Sequence, residues 1–139
     1  MARSDPFVET LATVPLFSAC SKKELGLVSR GAERITVDAG KVIVTEGSAG
    51  SEFFVIISGA ARVERSGKKV ASLGPGAFFG DLALLDRAPR NASVIAESQM
   101  ELAKVNQKAF DALLDVPGFS KKLLAGLARR LRQEDAKTR

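Results

Sequence analysis

Between residues 35 and 105 the chain breaks into short runs rich in Val, Ile and Phe, separated by Gly, Ser and Asp. The runs fall at 35–38, 42–45, 52–58, 60–65, 69–73, 92–96 and 101–105, and most of the connections between them are only a few residues long. A parallel crossover needs about a dozen residues or more, so most of these connections permit only antiparallel neighbours. The punctuation at Ala39-Gly40, 47–50, Ser58-Gly59, Ser66-Gly67 and 73–76 is turn chemistry. The expected architecture is therefore mainly β, an antiparallel sandwich or barrel. One patch, 82–86, interrupts the strand rhythm: it is short and apolar, and Gly80-Asp81 precedes it.

The flanks are helical. Residues 6–11 form a short segment, and Ser21-Lys22-Lys23-Glu24 is a capping box ahead of Leu25, Leu27 and Val28, with Gly31 as the stop. After Val105, residues 107–114 look helical and Pro117-Gly118 interrupts. Residues 119–135 then place Leu123, Leu124, Leu127 and Leu131 along one face. That stripe has two uses, packing on the barrel or against a second copy of the chain. One domain is expected over 1–139, with helices at about 6–31 and 107–135 around strands at about 34–105.

Composition removes most catalytic chemistry. With no His and only Cys20, the chain cannot build a His-based zinc or haem site, a Ser-His-Asp triad or a Cys-ligated cluster. No carboxylates are spaced as an evident general acid and base, so the chain is not expected to be an enzyme. Cys20 reads as a small buried apolar side chain. No membrane span or secretory segment stands out, and a cytoplasmic location is expected.

The net charge of +5 is concentrated at one end. Residues 120–139 carry seven basic and two acidic residues, while residues 1–119 are balanced at 14 of each. A basic helix of this kind suits nucleic acid or an acidic partner, or is a solvated helix face.

The stretch 73–94 brings together a Gly-rich approach, a carboxylate at Asp81, a very short helix, and Arg90 beside Pro89 where the chain re-enters a strand. Unpaired amides at Leu82 and Ala83 in a helix's first turn could receive anionic oxygens. Gly80 would allow close approach, and Arg90 offers a planar fork able to grip two phosphate oxygens. Asp81 suits a hydroxyl donor rather than the anion, so a phosphate plus a sugar hydroxyl points to a nucleotide. The bland alternative for Arg90 is a surface ion pair with Asp81, Asp86 or Glu97, worth under about 1 kcal/mol. Phe78 and Phe79 read as core aromatics.

Phe79-Gly80-Asp81-Leu82-Ala83-Leu84-Leu85, a four-residue spacer and Pro89-Arg90-Asn91-Ala92-Ser93-Val94 together resemble the phosphate-binding cassette of cyclic nucleotide-binding domains. The resemblance extends over about 10–135 through Val14-Pro15-Leu16-Phe17, Glu46-Gly47 and Ile57-Ser58-Gly59. It implies a β jelly roll with flanking helices and a short helix in the cassette, binding cAMP or cGMP without any other cofactor. Arg90 would pair with the cyclic phosphate, the amides of Leu82 and Ala83 would cap its oxygens, and Gly80 would pass close to the ribose. Asp81 would take the 2′-hydroxyl, one methylene shorter than the Glu usual in the family. Val44, Val63 and Val70 would line an apolar base pocket. Asn91 can both donate and accept, so it separates neither purine.

Output follows from what flanks the barrel. Similar domains in bacterial activators precede a helix-turn-helix, which these 139 residues do not contain, so DNA binding is not expected of them. The helix at 119–135 resembles the family's closing lid, with Glu134 or Asp135 near the base. The leading expectation is a regulatory module that repositions its C-terminal helices on binding a cyclic mononucleotide, with an unidentified downstream protein partner. The alternatives are polyanion binding through Lys121, Lys122, Arg129, Arg130 and Arg132, or a jelly-roll scaffold that has lost its ligand.

Overall fold

The computed structural model describes residues 6–80 and 89–138. Helix α1 (Pro6–Ala12), a 3-10 turn (Pro15–Phe17) and α2 (Lys22–Arg30) lead into eight strands. These are β1 (Ala32–Val37), β2 (Val42–Val44), β3 (Glu52–Ser58), β4 (Ala61–Arg65), β5 (Lys68–Leu73), β6 (Phe78–Phe79), β7 (Ser93–Ala96) and β8 (Met100–Asn106). Helices α3 (Gln107–Leu114) and α4 (Pro117–Thr138) follow. The strands form two four-stranded sheets, in the orders β1-β8-β3-β6 and β2-β7-β4-β5, and every pairing is antiparallel. The fold is mainly β, a double sheet of jelly-roll type flanked by helices.

The near-continuous apolar run of β3 has a direct cause. Its sheet is covered on both faces, so alternate side chains enter different cores. Phe53 and Val55 join Leu11, Phe17, Phe110 and Phe119 beneath the helices. Phe54 and Ile56 join Val44, Val94, Met100 and Leu102 between the sheets. The same alternation divides the adjacent phenylalanines of β6, Phe78 entering the helical core and Phe79 the inter-sheet core.

Local signals are realised at most element ends. Ser21 caps α2 with the reciprocal Glu24 bond in place, and Gly31 ends that helix. Asn106 caps α3 by accepting from the Ala109 amide at 2.9 Å. The β4–β5 hairpin turns through Ser66 and Gly67, both at positive φ, as two-residue hairpins favour.

Several expectations are corrected. Strand β6 was not anticipated, because two residues between Gly76 and Gly80 carry no periodic signal; its pairing with β3 supplies what sequence lacks. Strand β1 starts at Ala32 rather than 35, since the chain enters the ladder directly from the α2 cap and pairs Ala32 with Val105. Pro117-Gly118 does not precede the last helix but opens it, a proline being tolerated in a first turn where its missing N–H would be unpaired anyway. Leu124 leaves the apolar stripe and is 65% exposed, because the buried face is set by Phe119, Leu123 and Gly126. Cys20 is half-buried rather than buried. The short helix expected at 82–86 lies outside the described residues.

Candidate functional site

Arg90 lies between Pro89 and the start of β7, and its main chain is fixed by the turn that follows β2. Its amide donates to the Ser48 carbonyl at 2.8 Å, and its own carbonyl accepts from the Gly47 amide at 2.7 Å. With the backbone held, the side chain turns inward and is 7% exposed. Its Nη1 donates to the Gly80 carbonyl at 2.8 Å and its Nη2 to the Glu52 carbonyl at 2.9 Å. The guanidinium plane is thereby held against the main chain of Gly80 and Glu52. The surface-pair alternative with Glu97 does not hold: Glu97 sits 3.7 Å from Lys69 instead.

The niche exists because two residues lack side chains. A Cβ on Gly50 would collide with Nε, Cζ and Nη2 of Arg90. A Cβ on Gly80 would come within 2.6 Å of Arg90 Nη1 and 2.8 Å of the Glu52 carbonyl, and Gly80 also occupies φ +85°. Gly80 was expected to let a ligand come close to the backbone; what comes close to it in this structure is Arg90 and the Glu52 carbonyl. Gly50 and the Glu52 carbonyl were not anticipated, since a glycine in a turn gives no sign that an arginine from 40 residues away packs on it.

A belt of hydrogen bonds braces the surroundings. The Glu46 amide donates to Ser93 Oγ at 2.9 Å, the Glu46 carboxylate accepts from the Ser66 amide at 2.9 Å, and Arg65 Nε donates to the Asn91 carbonyl at 3.1 Å. The tip of the β4–β5 hairpin is thus tied to both chain segments that flank Arg90. Asn91 itself is exposed.

The three valines do not share one environment. Val44 and Val63 both pair with Val94, one from each side, placing them in one row across β2, β7 and β4. Val44 is buried in the inter-sheet core and Val63 packs half-buried against it. Val70 falls at the bulge between the Val63–Ala71 and Glu64–Lys69 pairs, outside that row. Asp81, Leu82 and Ala83 lie outside the described residues. Among the described residues no group of three or more His, Cys, Asp or Glu side chains converges to hold a metal ion. Among the same residues no helix is long and apolar enough to cross a membrane.

The sequence and the fold have clear counterparts in other proteins. The family profile described as cyclic nucleotide-binding domain matches residues 34–116, from within β1 to the turn before α4. A cAMP-dependent protein kinase regulatory subunit of Hypocrea atroviridis is 36% identical over 137 residues, which is 99% of this chain and 28% of that protein. The chain spans about a quarter of the length of the curated relatives first matched. Among solved structures, the Thermus thermophilus catabolite activator protein aligns at 34% identity with a TM-score of 0.74, over 89% of this chain and 61% of that one. The cAMP-bound PfPKA-R structure aligns with a TM-score of 0.84 over 96% of this chain and 46% of that one; at 23% identity this speaks to the fold. A profile match over residues 34–116, together with a relative 36% identical over 99% of this chain, has one reading: the chain belongs to the cyclic nucleotide-binding domain family.

Proposed function

We propose that residues 1–139 form one non-catalytic regulatory domain that binds cAMP in the niche bordered by Arg90 and Gly80. The observation that carries this reading is the inward, buried guanidinium of Arg90, held on the carbonyls of Gly80 and Glu52, with Gly80 itself part of the stretch that resembles the family's cassette. In this reading Arg90 grips the cyclic phosphate in a bidentate manner. The amides of Leu82 and Ala83 receive its oxygens, Gly80 passes the ribose, and Asp81 accepts its 2′-hydroxyl. Val44 and Val63 border the base, with Asn91 at the rim. The relatives named for cAMP support that nucleotide over cGMP.

The route to output is supported by a contact beside the niche. Helix α4 crosses β6 so closely at Gly126 that a Cβ there would lie 2.6 Å from Cε2 and Cζ of Phe78, two residues before Gly80. A ligand that shifts Gly80 therefore bears on the seat of α4, and its energy of preference for one seating is what biases the helix.

Calorimetry with cAMP, cGMP and AMP tests the site. The expected result is binding of cAMP, weaker binding of cGMP and none of AMP, which lacks the cyclic diester. Arg90→Ala should weaken cAMP by on the order of 2–5 kcal/mol, since it strips the charged partner from an enclosed phosphate. Unchanged affinity in a variant that keeps its circular dichroism spectrum would refute the role of Arg90.

A further inference from the structure

The outward face of α4 is cationic and has no partner within the described residues. Phe119, Leu123 and Gly126 are buried against the barrel, while Lys121, Lys122, Leu124, Ala125, Ala128, Arg129 and Arg132 are exposed. At 100° per residue, Lys121, Ala125, Ala128 and Arg132 point straight outward, with Lys122 and Arg129 along one edge and Leu124 on the other. No ion pair reaches these four cations among the described residues. Within the helix, no acid stands three or four residues from Lys121, Lys122 or Arg129. Helix stability does not account for the lysines. They fall in the second turn of a helix whose first turn has no acid, the end where its dipole disfavours positive charge.

We propose that this face docks an acidic helical segment of another protein, with Leu124 as the apolar contact and the four cations as the charge complement. A second copy laid in parallel on the same face would oppose cation to cation, and an antiparallel one would offer a single acid position on that face, Asp135, against the four cations. A membrane requires an apolar face to insert, and that of α4 is already spent on the barrel. A nucleic-acid backbone would engage the cations but leave Leu124 in water. An acidic helix satisfies both kinds of group, and the two alanines between them let it approach to the usual interhelical distance of about 8–10 Å. The inference is independent of what the Arg90 niche holds.

Fluorescence anisotropy on the whole chain tests it, using a labelled helical peptide rich in Glu and Ala with one leucine stripe. A random-sequence DNA duplex and phosphatidylserine vesicles serve as rival probes. The peptide should bind more tightly than either rival, Lys122→Glu with Arg129→Glu should weaken it about tenfold, and Leu124→Ala should weaken it about threefold. These variants should leave cAMP affinity where it was, so failure here is distinct from failure of the nucleotide reading. The proposal is overturned by absent peptide binding, by indifference to Leu124→Ala, by tighter binding to DNA or vesicles, or by a homodimer that Leu124→Ala dissociates.

Discussion

Among the described residues, what meets the Arg90 guanidinium is main chain: two glycines without side chains and the carbonyls of Gly80 and Glu52. One residue further along β3, behind Phe53, the walls are side chains, with the Phe110 ring 5.0 Å from that of Phe53 and 6.4 Å from that of Phe119. Adjacent positions of one strand thus serve two regions built by opposite means. A niche made of backbone is sensitive to any added atom and indifferent to lost side-chain volume. A packed aromatic layer is sensitive to lost volume because its surroundings cannot collapse to fill the gap. If the niche holds the nucleotide as proposed, the comparison separates mutations that injure binding from those that injure folding.

The largest expected effect lies on the packed side. Phe110 is fully buried, and Phe110→Ala should cost about 3–5 kcal/mol of stability in denaturant titration. Its folded fraction should lose far less cAMP affinity than stability, since among the described residues its ring partners are Phe53 and Phe119 and no hydrogen bond joins it to Arg90. A large affinity loss with intact stability would reverse the assignment of the two regions.

The next effect belongs to the niche. Gly50→Ala places a methyl where the guanidinium lies, without a positive φ to strain the backbone. Arg90 must then swing out of its seat, as overpacked sites do at a cost of about 1–3 kcal/mol. The expected outcome is weaker cAMP binding by calorimetry with a far smaller loss of stability than Phe110→Ala causes. Equal losses in both measurements would mean the niche is part of the folding core.

The two regions also differ in how legible they were in the sequence. Strand and helix positions came through well where a local rule applies: residues 52–58 and 107–114 match β3 and α3 residue for residue, and the Ser21–Glu24 capping box is formed. β6 was illegible because its reason is a partner strand, not its own pattern. In the niche, Arg90 and Gly80, which the structure joins by a hydrogen bond, were singled out by chemistry, by spacing and by the family resemblance. Gly50 and the Glu52 carbonyl were missed because they contribute the absence of a side chain and a main-chain atom, neither of which residue identity announces. Leu124 was placed in the stripe because apolar spacing alone does not say which edge of a leucine-rich helix the barrel covers.

Cys20 sharpens the comparison at the rim of the side-chain-built layer, with the smallest effect. It precedes the α2 N-cap, a location that by itself favours a thiolate. Two opposing influences prevail: partial burial first, then the charge of Glu24, and together they raise the thiol above its ordinary value of 9.0. Glu24 is held near by its own capping role, accepting from the Ser21 amide at 2.7 Å. The folded state therefore prefers the protonated thiol. The resulting stabilisation is fully present below the unfolded-state value and is lost as pH rises through the higher folded one. Iodoacetamide modification of the native chain should show a midpoint above 9.0, and Glu24→Gln should move it down. The stability difference between the parent and Cys20→Ala should be flat at neutral pH and shift against the parent only in alkali. A midpoint below 9.0 would mean that the helix end outweighs burial, and that the helical layer is more open at its rim than its aromatic interior requires.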